Sequence, residues 1–149
     1  MTATAHALVG GAIAASVQNP AIGLPLAALS HPLMDMIPHW DFGWGWRKKS
    51  KLTLFLQSIF DLSLGFILAF FLFGQNMNFW YFLAAVFVSE IWDIAEAPYW
   101  FFGWKFPPFS WIYGIQSKLQ GKTKTVGRGI LTQVGTVALI SLFLHIVQI

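Results

Sequence analysis

Residues 52–73 read LTLFLQSIFDLSLGFILAFFLF, an apolar run with one charged side chain, Asp61. The run is longer than the ~20 residues that an α-helix needs to cross a bilayer. The rest of the chain has the same character: 56% of its 149 residues are hydrophobic and 10% are charged, whereas soluble domains carry about 25% charged residues. We therefore predict an all-α integral membrane protein with a single transmembrane domain over residues 1–149.

Four further apolar segments predict a bundle of four to five helices. They cover residues 4–17, 21–37, 79–102 and 126–149. The first two are short for a span, and Pro25 and Pro32 lie inside the second. This predicts a tight or partly re-entrant hairpin with a kink or break near His31. The first segment has small residues at every fourth position, which lets helices in lipid approach closely. These are Ala3, Ala7, Gly11 and Ala15.

The basic residues predict the orientation in the membrane. All nine Lys and Arg residues lie in or directly beside two loops, 38–51 and 103–125. Because positive charge stays on the cytoplasmic side, we expect both loops and the N-terminus in the cytoplasm, and the turn 74–78 and the C-terminus outside. Topology explains the net charge of +3, so we expect no nucleic-acid partner.

No basic region opens a signal peptide, so we expect the first segment to be retained. The lack of cysteine excludes thiolate ligands and disulfides.

Most ionisable side chains fall at one depth in this topology. Eight of the ten His, Asp and Glu residues lie at the cytoplasmic ends or halves of the segments: His6, His31, Asp35, His39, Asp61, Glu90, Asp93 and Glu96. Asp41 lies in the adjoining loop, and His145 at the opposite end of the last span is interpreted as an outer interface residue. The spans hold no basic side chain except Arg128. The carboxylates would therefore repel one another or take up protons unless a bound cation neutralises them.

The spacing of His31, Asp35 and His39 favours a metal site, because three such residues fall within roughly 80° of one another on a helix. Imidazole nitrogen and carboxylate oxygen suit a divalent ion such as zinc or manganese. We predict one or two ions, a pair being ~3.5–4 Å apart as in sites that clamp a phosphoryl group. The predicted ligands are His6, His31, Asp35, His39, Asp41, Asp61 and Asp93. For His39 and Asp41, a structural role in the loop after Pro38 is the alternative.

Two stretches in the first 41 residues carry a family resemblance: TATAH at 2–6 and SHPLMDMIPHWD at 30–41. They resemble small bacterial membrane proteins with a Thr-x-His segment followed by Ser-His-x-x-x-Asp-x-x-Pro-His-x-Asp. These are distantly similar to inner-membrane metal-dependent hydrolases of the YdjM type. The resemblance implies metal ligation by His6, His31, Asp35 and Asp41, and a multi-pass protein of the bacterial inner membrane.

The function expected from these features is metal-dependent hydrolysis of a phosphoester in a lipid or lipid-linked substrate at the cytoplasmic leaflet. The metal would activate water and stabilise charge on the transferring group. Glu90 or Glu96 would act as general base, or alternatively as a partner of the ligands or a proton relay. Residues 47–51 would attract an anionic head group. Two rival hypotheses are an ion or proton transporter that uses the intramembrane carboxylates and a non-catalytic membrane subunit.

Overall fold

The computed structural model describes residues 1–121, 123 and 125–147, and this part of the chain is all-α, without a β-strand. Its seven α-helices are α1 Ala3–Ser16, α2 Pro20–Asp35, α3 Lys51–Ala69, α4 Phe79–Ser89, α5 Ile91–Phe101, α6 Phe109–Leu119 and α7 Val126–Val147. Helix α3 continues into a π-helical turn, Phe70–Gly74, and a short 3₁₀ helix, Trp46–Lys48, precedes it. The predicted all-α class is confirmed, with more and shorter helices than expected.

Helix α1 packs against α2, α3, α4 and α7, and small residues make this close packing feasible. A Cβ atom at Gly65 of α3 would lie 2.8 Å from the Cα of Thr4 and 2.9 Å from the Cβ of Ala7. A Cβ at Gly11 would lie 3.2 Å from that of Ala69. Two members of the predicted small-residue stripe, Ala7 and Gly11, thus lie at helix contacts, and α1 carries His6 into the centre of the fold.

The predicted kink or break near His31 does not interrupt α2, which runs from Pro20 to Asp35. A proline inside a helix leaves the carbonyl four residues earlier without its usual donor. For Pro32 this is the carbonyl of Ala28, and the indole N–H of Trp92 donates to it at 3.0 Å. A side chain of α5 therefore supplies the missing hydrogen bond, and the helix continues through His31 to Asp35.

The predicted single segment 79–102 is two helices, α4 and α5, which meet at Glu90 with φ −98° and ψ 1°. The carbonyl of Ser89 accepts a hydrogen bond from Nδ1 of His31 at 2.6 Å. A side chain of α2 thus occupies this oxygen at the point where α4 ends. The break between α4 and α5 therefore lies at the hydrogen bond that orients His31.

Helix α6 lies in the stretch 103–125, which we had expected to be a loop. The residue before the helix is Pro108, and prolines are common at helix starts because they need no N–H partner there. Residues 109–119 contain no further proline and many apolar side chains, and α6 packs against α5. The helix brings Gln116 into the interior, where it is 3% exposed.

Among the helices of the described residues, two are long and apolar enough to cross a membrane. They are Lys51–Gly74, with 24 residues, and Val126–Val147, with 22 residues, whereas Ala3–Ser16 and Phe79–Ser89 are apolar but shorter. Large apolar side chains on both long helices face outward, for example Leu52 at 66% and Leu131 at 72% exposure. An apolar surface of this extent is typical of contact with lipid or with another protein.

Candidate metal centre

A buried carboxylate, Asp35 at the C-terminal end of α2, forms the centre of the candidate site. Three histidines from different segments direct Nε2 toward it. His6 of α1 lies 3.2 Å from Oδ1, His31 of α2 lies 3.5 Å from Oδ2, and His39 of the following loop lies 3.8 Å from Oδ1. Exposure of the four residues is between 0% and 3%. The amino group of Met1 also contacts Oδ1 of Asp35.

The separations of His6 and His31 from Asp35 are close to those between two ligands of one metal ion, and that of His39 is longer. With zinc bonds of about 2.0–2.2 Å in a tetrahedral arrangement, two ligand atoms lie about 3.3–3.6 Å apart. Candidate ligand atoms of His6, His31 and Asp35 all lie within 4.8 Å of one another. The rings of His6 and His31 stack at 3.6 Å with an interplanar angle of 8°, and both present Nε2 to Asp35. This His–His–Asp group could hold a divalent metal ion.

Backbone carbonyls orient two of the three imidazoles. Nδ1 of His31 donates to the carbonyl of Ser89 at 2.6 Å, and Nδ1 of His39 donates to that of Ile37 at 2.8 Å. Because a carbonyl oxygen only accepts, the proton lies on Nδ1, and in the neutral ring Nε2 presents a lone pair. Metal-ligating histidines are oriented in this way. Burial lowers the pKa of His39 to about 4, so this imidazole is neutral at pH 7.

Two ring nitrogens of the group have no hydrogen-bond partner within the described part of the chain: Nδ1 of His6 and Nε2 of His39. A buried polar atom without a partner costs roughly 1–3 kcal/mol. Nε2 of His39 is the atom that faces Asp35, where two acceptors without a proton between them do not attract each other. A divalent ion bound to Asp35 would remove this deficit at His39.

Asp93, at the start of α5, extends the group on one side. Its Oδ1 lies 3.4 Å from Nε2 of His31, and its side chain is 41% exposed. Gln116 of α6 donates from its side-chain nitrogen to the same Oδ1 at 3.2 Å and lies 3.3 Å from Nε2 of His31. The structure thus brings the predicted Asp93 to His31, and Gln116 fixes the carboxylate.

Asp61 instead binds the first turn of α1. Its Oδ2 accepts from the backbone N–H of Ala3 at 2.7 Å, and its Oδ1 accepts from the N–H and the hydroxyl of Thr4 at 3.1 and 2.6 Å. A carboxylate is favoured at a helix N-terminus by the free N–H groups and the helix dipole. Asp61 therefore fixes the end of α1 that carries His6, and its role as a ligand stays a prediction.

The remaining predicted residues lie around the group. Oδ1 of Asp41 accepts from the N–H of Gly43 at 2.9 Å, and burial raises the pKa of this carboxyl to about 6. Glu90 is 2% exposed, and neither of its carboxylate oxygens has a hydrogen bond of standard geometry among the described residues. Glu96 accepts from the indole N–H of Trp100 at 2.8 Å. The ligand role of Asp41 and the catalytic roles of Glu90 and Glu96 stay predictions.

A cavity of about 210 Å³ lies between α3, α5 and the loop before α3. Four carboxylates are among its lining residues: Asp41, Asp61, Glu90 and Asp93. Since Asp93 also contacts His31, one side chain connects the cavity to the His–His–Asp group. A ligand in this cavity would lie beside a metal ion bound by that group.

Comparison with known proteins assigns no family to this geometry. No family, curated protein or solved structure matches the chain. The resemblance of residues 2–41 to the YdjM type therefore stays a prediction. The functional proposal rests on the side chains and cavities described above.

The sequence analysis did not identify two residues of the site, Gln116 and Gln133. Gln116 lies in the stretch interpreted as a loop, so no helix face was assigned to it. Gln133 of α7 accepts from the N–H of Thr2 at 2.8 Å and donates to the carbonyl of Trp40 at 2.8 Å. It thereby joins the start of α1 to the loop that carries His39. A strongly polar side chain in an apolar span is costly without partners, and this signal alone could have identified Gln133.

Proposed function

We propose that the protein is a membrane-embedded, metal-dependent hydrolase that acts on a phosphoester in a lipid or lipid-linked substrate. The observation that carries the proposal is the convergence of three histidine Nε2 atoms on Asp35, beside a cavity lined by four carboxylates. His6, His31 and Asp35 would hold a divalent ion, zinc or manganese, which would supply Lewis acidity toward the phosphoryl group and toward water. A second ion would find oxygen ligands at Asp93 and Asp41.

In this proposal, a carboxylate of the cavity accepts the proton that water releases. Glu90 is buried and lines the cavity beside Asp93. We assign it the role of general base, which accepts a proton from water. Gln116 holds Asp93 against His31, which keeps that carboxylate in position when substrate enters.

The two basic loops support a site at one membrane face. The N–H of His39 donates to the carbonyl of Gly121 at 3.0 Å, and the guanidinium of Arg47 donates to the hydroxyl of Tyr113 at 2.8 Å. Segments 36–50 and 109–121 are thus neighbours, and His39 belongs to the first of them. By the positive-inside rule, we propose that this face is cytoplasmic and that α3 and α7 cross the membrane.

Metal analysis of the purified protein with a phosphoesterase assay tests the function. We expect one or two equivalents of a divalent ion per chain by plasma mass spectrometry. Chelation should remove the ion and hydrolysis together, and zinc or manganese should restore both. Metal-loaded protein that hydrolyses none of a broad panel of lipid and soluble phosphoesters would contradict the hydrolase proposal, and protein that binds no divalent ion would contradict the metal site.

Cysteine labelling tests the orientation, since the native chain has no cysteine that would react. We expect single cysteines at Ser50 and Ser117 to react with a membrane-impermeant maleimide from the same, cytoplasmic side. A cysteine at Asn76, in the exposed turn between α3 and α4, is the matched control and should react from the opposite side. Reaction of Ser50→Cys and Ser117→Cys from different sides would exclude the topology.

A further inference from the structure

The 210 Å³ cavity next to the His–His–Asp group opens on the outer apolar face of α3. Phe55 and Ile59 line it and are 52% and 47% exposed. Ile94 and Phe101 of α5 also line it. Helix α3 belongs to one of the two stretches long enough to span a membrane. A ligand that passes Phe55 and Ile59 would therefore come from the bilayer, and these walls suit an apolar chain.

A second, more polar cavity of about 520 Å³ lies next to the first. The two share Asp41, Gly43 and Trp100 in their linings. The second cavity is also lined by Arg47 and Lys48, which are both exposed. These two cations offer an anionic head group its counter-charge, and the carboxylates Asp41 and Glu96 line the same cavity.

One side chain of each cavity lining contacts the His–His–Asp group. Asp93 lines the apolar cavity and Gln116 lines the second one. The two side chains are hydrogen-bonded at 3.2 Å, and they lie 3.4 and 3.3 Å, respectively, from Nε2 of His31. A molecule that extends from one cavity into the other would pass Asp41 and Gly43, which line both, and could reach His31 beside Asp93 and Gln116.

On the basis of the proposed hydrolase function, we propose that the substrate is a phosphodiester with one apolar chain that enters from the bilayer between α3 and α5. The chain occupies the apolar cavity, the phosphoryl group lies beside His31 and Asp93, and the head group lies near Arg47. At ~30 Å³ for each water-sized group, the apolar cavity admits part of one chain. Hydrolysis breaks one P–O bond: water gives its hydroxyl to phosphorus and a proton to the leaving oxygen, which yields an alcohol and a phosphate monoester.

Two esters that differ only in chain length test this inference, p-nitrophenyl butyl phosphate and p-nitrophenyl dodecyl phosphate. The metal-loaded full chain is assayed in bilayer nanodiscs as wild type, Ile59→Trp and Ile94→Trp, the two variants filling the cavity from opposite walls. We expect each variant to lower kcat/KM for the dodecyl ester at least about tenfold more than for the butyl ester, as for a lost apolar subsite. Leu131→Trp, at a 72% exposed position of α7, is the control and should keep the wild-type ratio. The dodecyl ester partitions into the bilayer equally in all samples. A change in the ratio of kcat/KM for the dodecyl ester to kcat/KM for the butyl ester therefore reports on the cavity.

The outcomes separate the inference from the hydrolase function. Hydrolysis with the same chain-length ratio in wild type and both cavity variants would overturn chain entry between α3 and α5 and leave the hydrolase proposal intact. If neither ester is hydrolysed and the broad panel of phosphoesters also gives no turnover, the hydrolase proposal fails. Calorimetric titration with dodecylphosphonate and butylphosphonate then tests the cavity alone. Weaker binding of only the longer phosphonate to both cavity variants would support it, and equal binding of the longer phosphonate to wild type and variants would overturn it.

Discussion

His31→Ala is expected to remove the bound metal and abolish phosphoester hydrolysis. Its Nε2 is the nitrogen that lies between two carboxylates, 3.5 Å from Oδ2 of Asp35 and 3.4 Å from Oδ1 of Asp93. Loss of a partner outside the ligand set typically weakens metal binding 10–100-fold, so loss of a ligand should weaken it by more than about 100-fold. Asp35→Asn should have the same effect, because three imidazoles face this carboxylate.

Metal content and metal affinity measure the effect, with circular dichroism as the check of folding. His145→Ala is the matched control, because this histidine lies exposed near the end of α7, and it should keep full metal content and activity. Asp35→Asn preserves the shape of the side chain and keeps the test decisive if His31→Ala fails to fold. Folded His31→Ala or Asp35→Asn with wild-type metal content would exclude the proposed centre.

Glu90→Gln is expected to keep the metal and slow turnover by about 10²–10⁴-fold, the usual loss when a proton-transfer group is removed. The substitution is nearly isosteric and removes the charge of a buried carboxylate whose residue lines the cavity. The measurement is kcat at saturating substrate with metal content determined on the same sample.

Glu96→Gln is the companion variant, since Glu96 lines the second cavity and binds Trp100. A large loss of kcat in Glu96→Gln and none in Glu90→Gln would place the general base in the second cavity. A transporter would give a different result: variants that neutralise the carboxylates would abolish ion flux, and no protein would hydrolyse a phosphoester. A structural metal would give a third, in which loss of a ligand lowers Tm and wild type has no turnover.

The sequence predicts the centre of the site better than its surroundings. His31 and Asp35 lie four apart on one helix, so their common face follows from helical geometry alone. His6 required a further step, the common depth assigned by the basic loops. The cap that Asp61 makes on α1 could not be predicted, because its partners are backbone N–H groups of a different helix, and side-chain patterns do not encode them.

The break at Glu90 and the position of Gln116 were also not predictable from the sequence around them. An apolar segment with no proline or glycine from 79 to 97 has no local signal for an interruption at 90. The break lies where Nδ1 of His31 donates to the carbonyl of Ser89, a hydrogen bond between residues 58 positions apart. Gln116 required recognition of a helix after Pro107 and Pro108, in a stretch whose aromatic residues are equally typical of a membrane interface.

The hydrogen bond between Trp92 and the carbonyl of Ala28 has a consequence for how this sequence can evolve. Pro32 frees that carbonyl, and the indole of α5 uses it. Replacement of Pro32 alone would restore a competing donor within α2, and replacement of Trp92 alone would leave a half-buried acceptor without its donor. We therefore expect each single change to cost more stability than the double change, so that positions 32 and 92 are energetically coupled.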